Sequence, residues 1–103
     1  MKLSSELKRA FRGLDNYLTT AQKEIFLSSY YYDLSRFQGT LGKYLTENFL
    51  RSSDNLFKEF VSAGILFADD MAMLTIVLYY MYLTPQFPNR KRFYSFGKPP
   101  DNF

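Results

Sequence analysis

The sequence predicts an all-α protein with two or three amphipathic N-terminal helices, one transmembrane helix and an extended C-terminal arm rich in proline and aromatic residues. Apolar residues recur at helical spacing through the first half of the chain, which predicts the amphipathic helices. A nearly uncharged run over residues 60–83 predicts the membrane span, and the prolines beyond it preclude another long helix. We therefore expect an amphipathic helical region over residues 1–54, a transmembrane helix over 55–84 and an extended basic and aromatic arm over 85–103.

Region 1–54 has the pattern of short helices joined by turns. Its first segment places apolar side chains on one face and basic ones on the others. The apolar set is Leu3, Leu7, Ala10, Phe11, Leu14, Tyr17 and Leu18. Thr19 and Gln22 have the spacing of a capping box, which predicts the start of a second helix. A third helical stretch places Leu41, Leu45 and Phe49 on one side and ends at the turn-forming residues 52–55.

The apolar run over residues 60–83 of the predicted transmembrane helix contains only two charged residues, Asp69 and Asp70. Each ionised aspartate at the centre of a bilayer costs roughly 2.5–3.5 kcal/mol on insertion scales, so we expect both to form an ion pair with a partner subunit or to be protonated. Tyrosines at the C-terminal end of the run are typical of a membrane interface. The alternative is that Asp70 caps a shorter helix over residues 71–83, which has the length of a buried helix rather than a span.

Small residues recur every four positions along this run, at Gly64, Ala68 and Ala72. On one helix they would form a single face that allows close approach of another backbone. This spacing predicts a helix-packing stripe in a membrane, or equally the thin side of a packed helix outside one.

Region 85–103 combines four prolines with interleaved aromatic and basic residues. We expect it to lie across a partner, with arm contacts made by Phe87, Arg90, Arg92, Phe93 and Tyr94. The basic and aromatic residues at 90–94 also resemble a single-strand nucleic-acid binder, but no recognised binding pattern accompanies them and no nucleic-acid partner is expected.

The composition excludes several classes of chemistry from a chain of 103 residues. Histidine and cysteine are absent, which removes the commonest general base, the commonest metal ligand and any disulfide. No phosphate loop, dinucleotide fingerprint or zinc-protease motif is present. We therefore expect no enzyme activity, no catalytic residue, no cofactor, no metal site and no small-molecule substrate.

The stretch 54–82 resembles the subunit 9 family of ubiquinol-cytochrome c reductase, mitochondrial respiratory complex III. The resemblance rests on Asn55, Phe57, the segment 61–64 (Val-Ser-Ala-Gly), Asp69, and tyrosines at 79 and 80 where that family has tryptophan. It implies a noncatalytic supernumerary subunit that crosses the mitochondrial inner membrane once, with its N-terminal side toward the matrix and no bound cofactor. Another small subunit of a respiratory complex or an ATP synthase would have a similar sequence.

From these observations we expect a noncatalytic accessory subunit that stabilises a respiratory complex in the mitochondrial inner membrane. Its expected partners are the other subunits of that complex and the lipid bilayer. The alternative is a soluble, all-helical viral or phage interaction protein that binds a host protein or a nucleic acid through the basic aromatic arm.

Overall fold

The computed structural model describes residues 3–86, and every regular element in that range is helical. The five α-helices are α1 (Ser5–Tyr17), α2 (Thr20–Ser28), α3 (Lys43–Asn48), α4 (Asn55–Ser62) and α5 (Ala68–Leu83). Between α2 and α3, a 3₁₀ segment (Tyr31–Phe37) leads directly into a π-helical segment (Gln38–Gly42), and a 3₁₀ turn (Thr84–Gln86) follows α5.

Side-chain caps start the first two helices. The hydroxyl of Ser4 accepts a hydrogen bond from the Leu7 N–H, which satisfies one of the free donors at the start of α1. The predicted capping box at α2 is confirmed. The Thr19 hydroxyl accepts from the Gln22 N–H at 3.1 Å, and the Gln22 side chain accepts from the Thr19 N–H at 2.9 Å.

Helix α5 lies at the centre of the packing and contacts α2, α3, α4 and both segments between α2 and α3. Its buried side chains are Met71, Ala72, Thr75, Ile76, Tyr79, Tyr80 and Leu83. The hydroxyl of Thr75 is fully buried, and it donates to the Met71 carbonyl at 2.8 Å, so its polar group has a partner. The apolar residues of α1, α2 and residues 31–45, together with Leu50 and the α4 residues Leu56 and Phe60, complete the core around this helix.

Residues 31–48 form one helical path whose winding changes twice, from 3₁₀ to π to α. Leu34, Phe37, Leu41 and Leu45 are nevertheless all buried. They succeed one another at steps of three or four residues, which keeps them on the side of the path that packs into the core.

The predicted transmembrane helix is wrong, because the apolar run is divided at Gly64. Helix α4 ends at Ser62, and Gly64 has a φ of 90°, a backbone conformation that residues with a Cβ rarely adopt. The Ile65 N–H donates to the Phe60 carbonyl at 2.9 Å, and the Gly64 N–H donates to the Val61 carbonyl at 3.0 Å. This is a Schellman motif, in which a left-handed glycine satisfies the last carbonyls of the helix.

Within residues 3–86, no helix combines the length and the hydropathy needed to cross a membrane. Helix α5 has 16 residues, whereas a span needs about 20. The shorter helix considered as the alternative is closer to the structure, although α5 starts at Ala68 and its N-cap position is held by Phe67 rather than Asp70.

Candidate interaction surface

A cluster of contacts around Tyr79 holds the inner face of α5 against α1 and α2. The Tyr79 ring lies 5.5 Å from the ring of Phe11 and 5.6 Å from that of Phe26, measured between centroids. Its hydroxyl donates to Oδ1 of Asp15 at 2.5 Å, and Nζ of Lys23 lies 3.2 Å from the same oxygen. One side chain of α5 is thus bound to α1 by a hydrogen bond and to both α1 and α2 by ring contacts.

Burial raises the pKa of Tyr79 far above its usual value, and the hydrogen bond to Asp15 and the charge of that carboxylate raise it further. The phenol is therefore held protonated, which is the form that donates to Asp15. Burial also raises the pKa of Tyr44, with a smaller contribution from Tyr17, whose ring stacks on it at 4.2 Å.

A second tyrosine sets the rotation of α5 about its axis. The Tyr80 hydroxyl donates to the Ser29 carbonyl at 2.9 Å, just beyond the end of α2. With Tyr79 bound to α1 and Tyr80 bound to the chain after α2, the helix cannot turn without breaking one of two hydrogen bonds. The opposite side of α5 is therefore held outward.

That outward side carries Asp70, Leu74, Val77 and Met81, which follow one another at steps of four, three and four residues. At 100° per residue these positions lie together, opposite the buried face. Leu74 and Val77 are half-buried, and the Met81 side chain is 55% exposed. We call these four residues the outer stripe of α5.

The outward side of α5 differs in composition from that of an ordinary surface helix such as α1. On α1 the exposed positions include Lys8, Arg9 and Arg12, as expected of a helix that buries only one face. In α5 no charged residue occurs after Asp70, so the helix is apolar around most of its circumference. A helix of that kind is expected to be covered on both sides.

The linker between α4 and α5, residues 63–67, extends the apolar surface past the N-terminus of α5. Leu66 is 62% exposed and Phe67 is 69% exposed, and Val61 at the end of α4 is also exposed. Two large apolar side chains next to each other in water are a common feature of protein-binding surfaces.

Asp69 and Asp70 lie exposed in the first turn of α5. Negative charge is favourable there because the N-terminus of a helix carries partial positive charge. Neither carboxylate forms an ion pair with a residue in the range 3–86, so the predicted ion pair with a partner stays a prediction. The Asp69 carbonyl accepts from Nε2 of Gln38 at 2.9 Å, which joins the π-helical segment to the start of α5.

A groove of about 310 Å³ opens beside Asp69. It is lined by Gln38, Gly42, Lys43, Thr46, Glu47 and Asp69. Oε1 of Gln38 is buried and has no hydrogen-bond partner within the described chain. The side chains that line the groove carry charges of both signs, and the groove adjoins the acidic end of α5 rather than the apolar linker.

The structure removes Gly64 from the predicted small-residue stripe, whereas Ala68 and Ala72 lie one turn apart on α5. Gly64 lies in the linker, Ala68 is the first residue of α5 and Ala72 is buried in the core, so the three do not share one helix face. The predicted arm contacts, Phe87, Arg90, Arg92, Phe93 and Tyr94, lie outside the described residues.

Sequence reasoning missed the outer stripe and the linker. The signal for the stripe was present, because Leu74, Val77 and Met81 repeat at steps of three and four within the apolar run. A run taken as lipid-facing on all sides gives no reason to separate one face from another.

Among residues 3–86, no group of three or more acidic, histidine or cysteine side chains is placed to hold a metal ion. No protein-family model, curated protein or solved structure matches the chain.

Proposed function

We propose that the chain is a noncatalytic assembly subunit that binds a protein partner through the outer stripe of α5 and the adjoining linker. The observation that carries the proposal is that α5 is apolar on two sides while the described chain buries only one of them. The proposal retains the accessory role expected from the sequence and needs no membrane span.

The spacing of the outer stripe favours a helical partner. Steps of four, three and four residues are those of the a and d positions of a coiled-coil seam, in which side chains of one helix fill holes on the facing helix. The stripe from Asp70 to Met81 covers about 16 Å of helix at the usual rise per residue. A partner helix of three or four turns is long enough to cover it.

Leu66, Phe67 and Met81 would supply the largest newly buried area, because all three are more than half exposed. Full burial of a large apolar side chain contributes about 1.5–3 kcal/mol, and the half-buried Leu74 and Val77 have less left to gain. The linker and Met81 are therefore expected to contribute most of the apolar binding energy, and Leu74 and Val77 to orient the partner.

The respiratory-complex role implied by the resemblance is one form of such a subunit. It stays a prediction, as does the mitochondrial location. The alternative of a viral or phage interaction protein also stays a prediction, since it relies on residues 90–94, outside the described range.

Site-specific photo-crosslinking in living cells tests the proposal. A photoreactive amino acid replaces Met81 on the outer stripe and, in a control chain, Arg12 on the exposed face of α1. We expect one adduct of defined mass from position 81 and none of that mass from position 12. In a Phe67→Ser background the yield of this adduct should fall severalfold, because the variant removes exposed apolar surface without touching the core.

Two results contradict the proposal. One is the absence of any adduct at position 81 in a chain that folds as judged by circular dichroism. The other is an adduct whose yield is the same with and without Phe67→Ser.

A further inference from the structure

We infer that the outward face of α1, together with a row of aromatic rings beside it, binds single-stranded nucleic acid. The cations of that face contact phosphates, and the ring of Tyr17 stacks on a base. This surface shares no residue with the outer stripe of α5, so the binding goes beyond the proposed assembly role. It is also separate from residues 90–94, the segment considered for nucleic-acid binding from the sequence.

Three cations lie on the outward face of α1. Lys8, Arg9 and Arg12 are all exposed. At 100° per residue they fall on the side of the helix opposite the buried residues Ala10 and Leu14. Over residues 3–86 the acidic residues outnumber Lys and Arg, so this concentration of positive charge belongs to one helix face and not to the described chain as a whole.

The two acids of α1 leave most of this charge uncompensated. The carboxylate of Asp15 is occupied by a buried phenol of α5 and a lysine of α2. Glu6 lies 3.5 Å from Arg9, and an ion pair of that length at the surface contributes little. Within residues 3–86, neither Lys8 nor Arg12 forms an ion pair. The face therefore presents positive charge to an anionic partner.

A row of three aromatic rings lies beside these cations. The Tyr17 ring stacks on that of Tyr44, with their centroids 4.2 Å apart, and the Tyr44 ring lies 6.1 Å from that of Phe49. Gly13 lets α1 approach the row, because a Cβ there would lie 2.7 Å from Cζ of Phe49. The Arg9 guanidinium lies 5.6 Å from the centre of the Phe49 ring. Cations and rings are thus held side by side.

This combination is the one that single-strand binders use, in which a positively charged surface follows the phosphates and aromatic side chains stack on bases. Tyr17 is 49% exposed, so part of its side chain is open to a base. From Lys8 to Tyr17 the helix is about 14 Å long at the usual rise per residue, which gives room for phosphate contacts and a stacked base on the same strand.

An anionic membrane would also attract these cations, but α1 has no apolar face left to insert into a bilayer. Ala10, Phe11 and Leu14 are buried in the core, and Leu7 packs against it. Helices that bind at a membrane surface bury their apolar face at the boundary of headgroups and acyl chains. The charges and the exposed ring therefore favour a nucleic acid as the partner.

Fluorescence anisotropy of a labelled oligothymidylate of about 12 nucleotides, within the site sizes of single-strand binders, measures binding to the full chain. The double variant Lys8→Gln and Arg12→Gln should weaken binding at low salt at least about tenfold. It should also make the slope of log K against log salt shallower by about 1.4, because each phosphate contact to a single strand contributes about 0.7. Arg36→Gln, which removes an exposed cation of the 3₁₀ segment, is the matched control and should change neither quantity.

The stacking contact is tested separately. Tyr17→Leu should weaken binding about tenfold and leave the salt slope unchanged, because it removes an aromatic ring and no charge. Tyr31→Leu, at an exposed ring outside this surface, should have no effect. On the duplex made with the complementary strand, Tyr17→Leu should also have no effect, since the bases are already stacked within the double helix.

Absence of binding at low salt overturns the inference. It is also overturned if the variants at Lys8 and Arg12 or at Tyr17 bind as the unmodified chain does while their circular dichroism is unchanged. Tighter binding to phosphatidylserine vesicles than to the oligonucleotide would identify a membrane as the partner instead. Phe67→Ser, the variant that tests the proposed function, should leave the affinity for the oligonucleotide unchanged, so failure of one proposal is distinguishable from failure of the other.

Discussion

The phenol of Tyr79 donates a hydrogen bond to Oδ1 of Asp15 at 2.5 Å, joining residues that are 64 positions apart in the sequence. Asp15 also pairs with Lys23, so a single carboxylate connects α1, α2 and α5. Because Tyr79 is fully buried, this contact fixes which side of α5 faces the core. The outer stripe faces away from the core as a consequence.

Removing the Tyr79 hydroxyl should destabilise the fold. Hydrogen bonds to charged groups contribute about 1.5–3 kcal/mol, so Tyr79→Phe is expected to lower the free energy of unfolding by about that amount at pH 8. Urea unfolding followed by circular dichroism measures the change. Tyr31→Phe, which removes a hydroxyl from an exposed ring, should change the free energy by less than about 0.5 kcal/mol. Equal losses in the two variants would mean that the Asp15 contact contributes nothing.

Stability should fall in alkaline solution. The usual pKa of a tyrosine is 10.0, and the folded protein raises that of Tyr79 well above it. Above pH 10 the unfolded chain has lost a proton that the folded chain keeps, so the free energy of unfolding decreases as pH rises and is unaffected below that range. The slope for one such group approaches about 1.4 kcal/mol per pH unit. Urea midpoints at several pH values measure it, and Tyr79→Phe should make the decline shallower.

Replacing Gly64 should weaken the end of α4. Its φ of 90° disfavours a residue with a Cβ by roughly 1–2 kcal/mol, and no neighbouring atom lies within 4 Å of the position that a Cβ would take. Gly64→Ala is therefore expected to lower the free energy of unfolding by about that amount through the backbone alone. Gly39→Ala is the matched control, since its Cβ also has open space and its φ is not positive. We expect it to be neutral or to stabilise by up to about 1 kcal/mol.

Gly13 allows α1 to lie close to two aromatic rings. A Cβ at this position would lie 2.7 Å from Cζ of Phe49 and 2.9 Å from the Tyr44 hydroxyl oxygen. Gly13→Ala should therefore cost about 1–3 kcal/mol through overpacking, even though alanine is the better helix former. Thermal unfolding against Asn16→Ala, an exposed change on the same helix, measures the cost. A stabilised Gly13→Ala protein would show that the rings move aside freely.

The first two helices could be predicted from the sequence, because local patterns of residues specify where they begin and which face is buried. Thr19 and Gln22 form a capping box because both partners are three residues apart in the chain, and no distant contact is needed. The apolar face of α1 is likewise a matter of spacing, and Ala10, Phe11 and Leu14 are all buried as the pattern predicts.

The break at Gly64 was not predicted, because hydropathy averages over a window while the break depends on a single backbone dihedral angle. A glycine between two helical runs fits a small-residue stripe or a helix end equally well. The ring contacts of Tyr79 and its bond to Asp15 join three helices, and no local pattern specifies such pairings. The outer stripe could not be predicted for the same reason, because the residues that face outward on α5 depend on which face these distant contacts bury.

Because the winding changes over residues 31–48, we expect this segment to accommodate a one-residue change in length. A 3₁₀ turn takes three residues and a π turn takes more than an α turn, so the path can absorb an added or missing residue by changing its pitch. Gly39 and Thr40, exposed in the π-helical segment, are where such an adjustment would disturb least. A variant with one residue added after Gly39 is therefore expected to keep Leu34 and Leu45 in the core, because a change of pitch can offset the rotation that an added residue would otherwise cause.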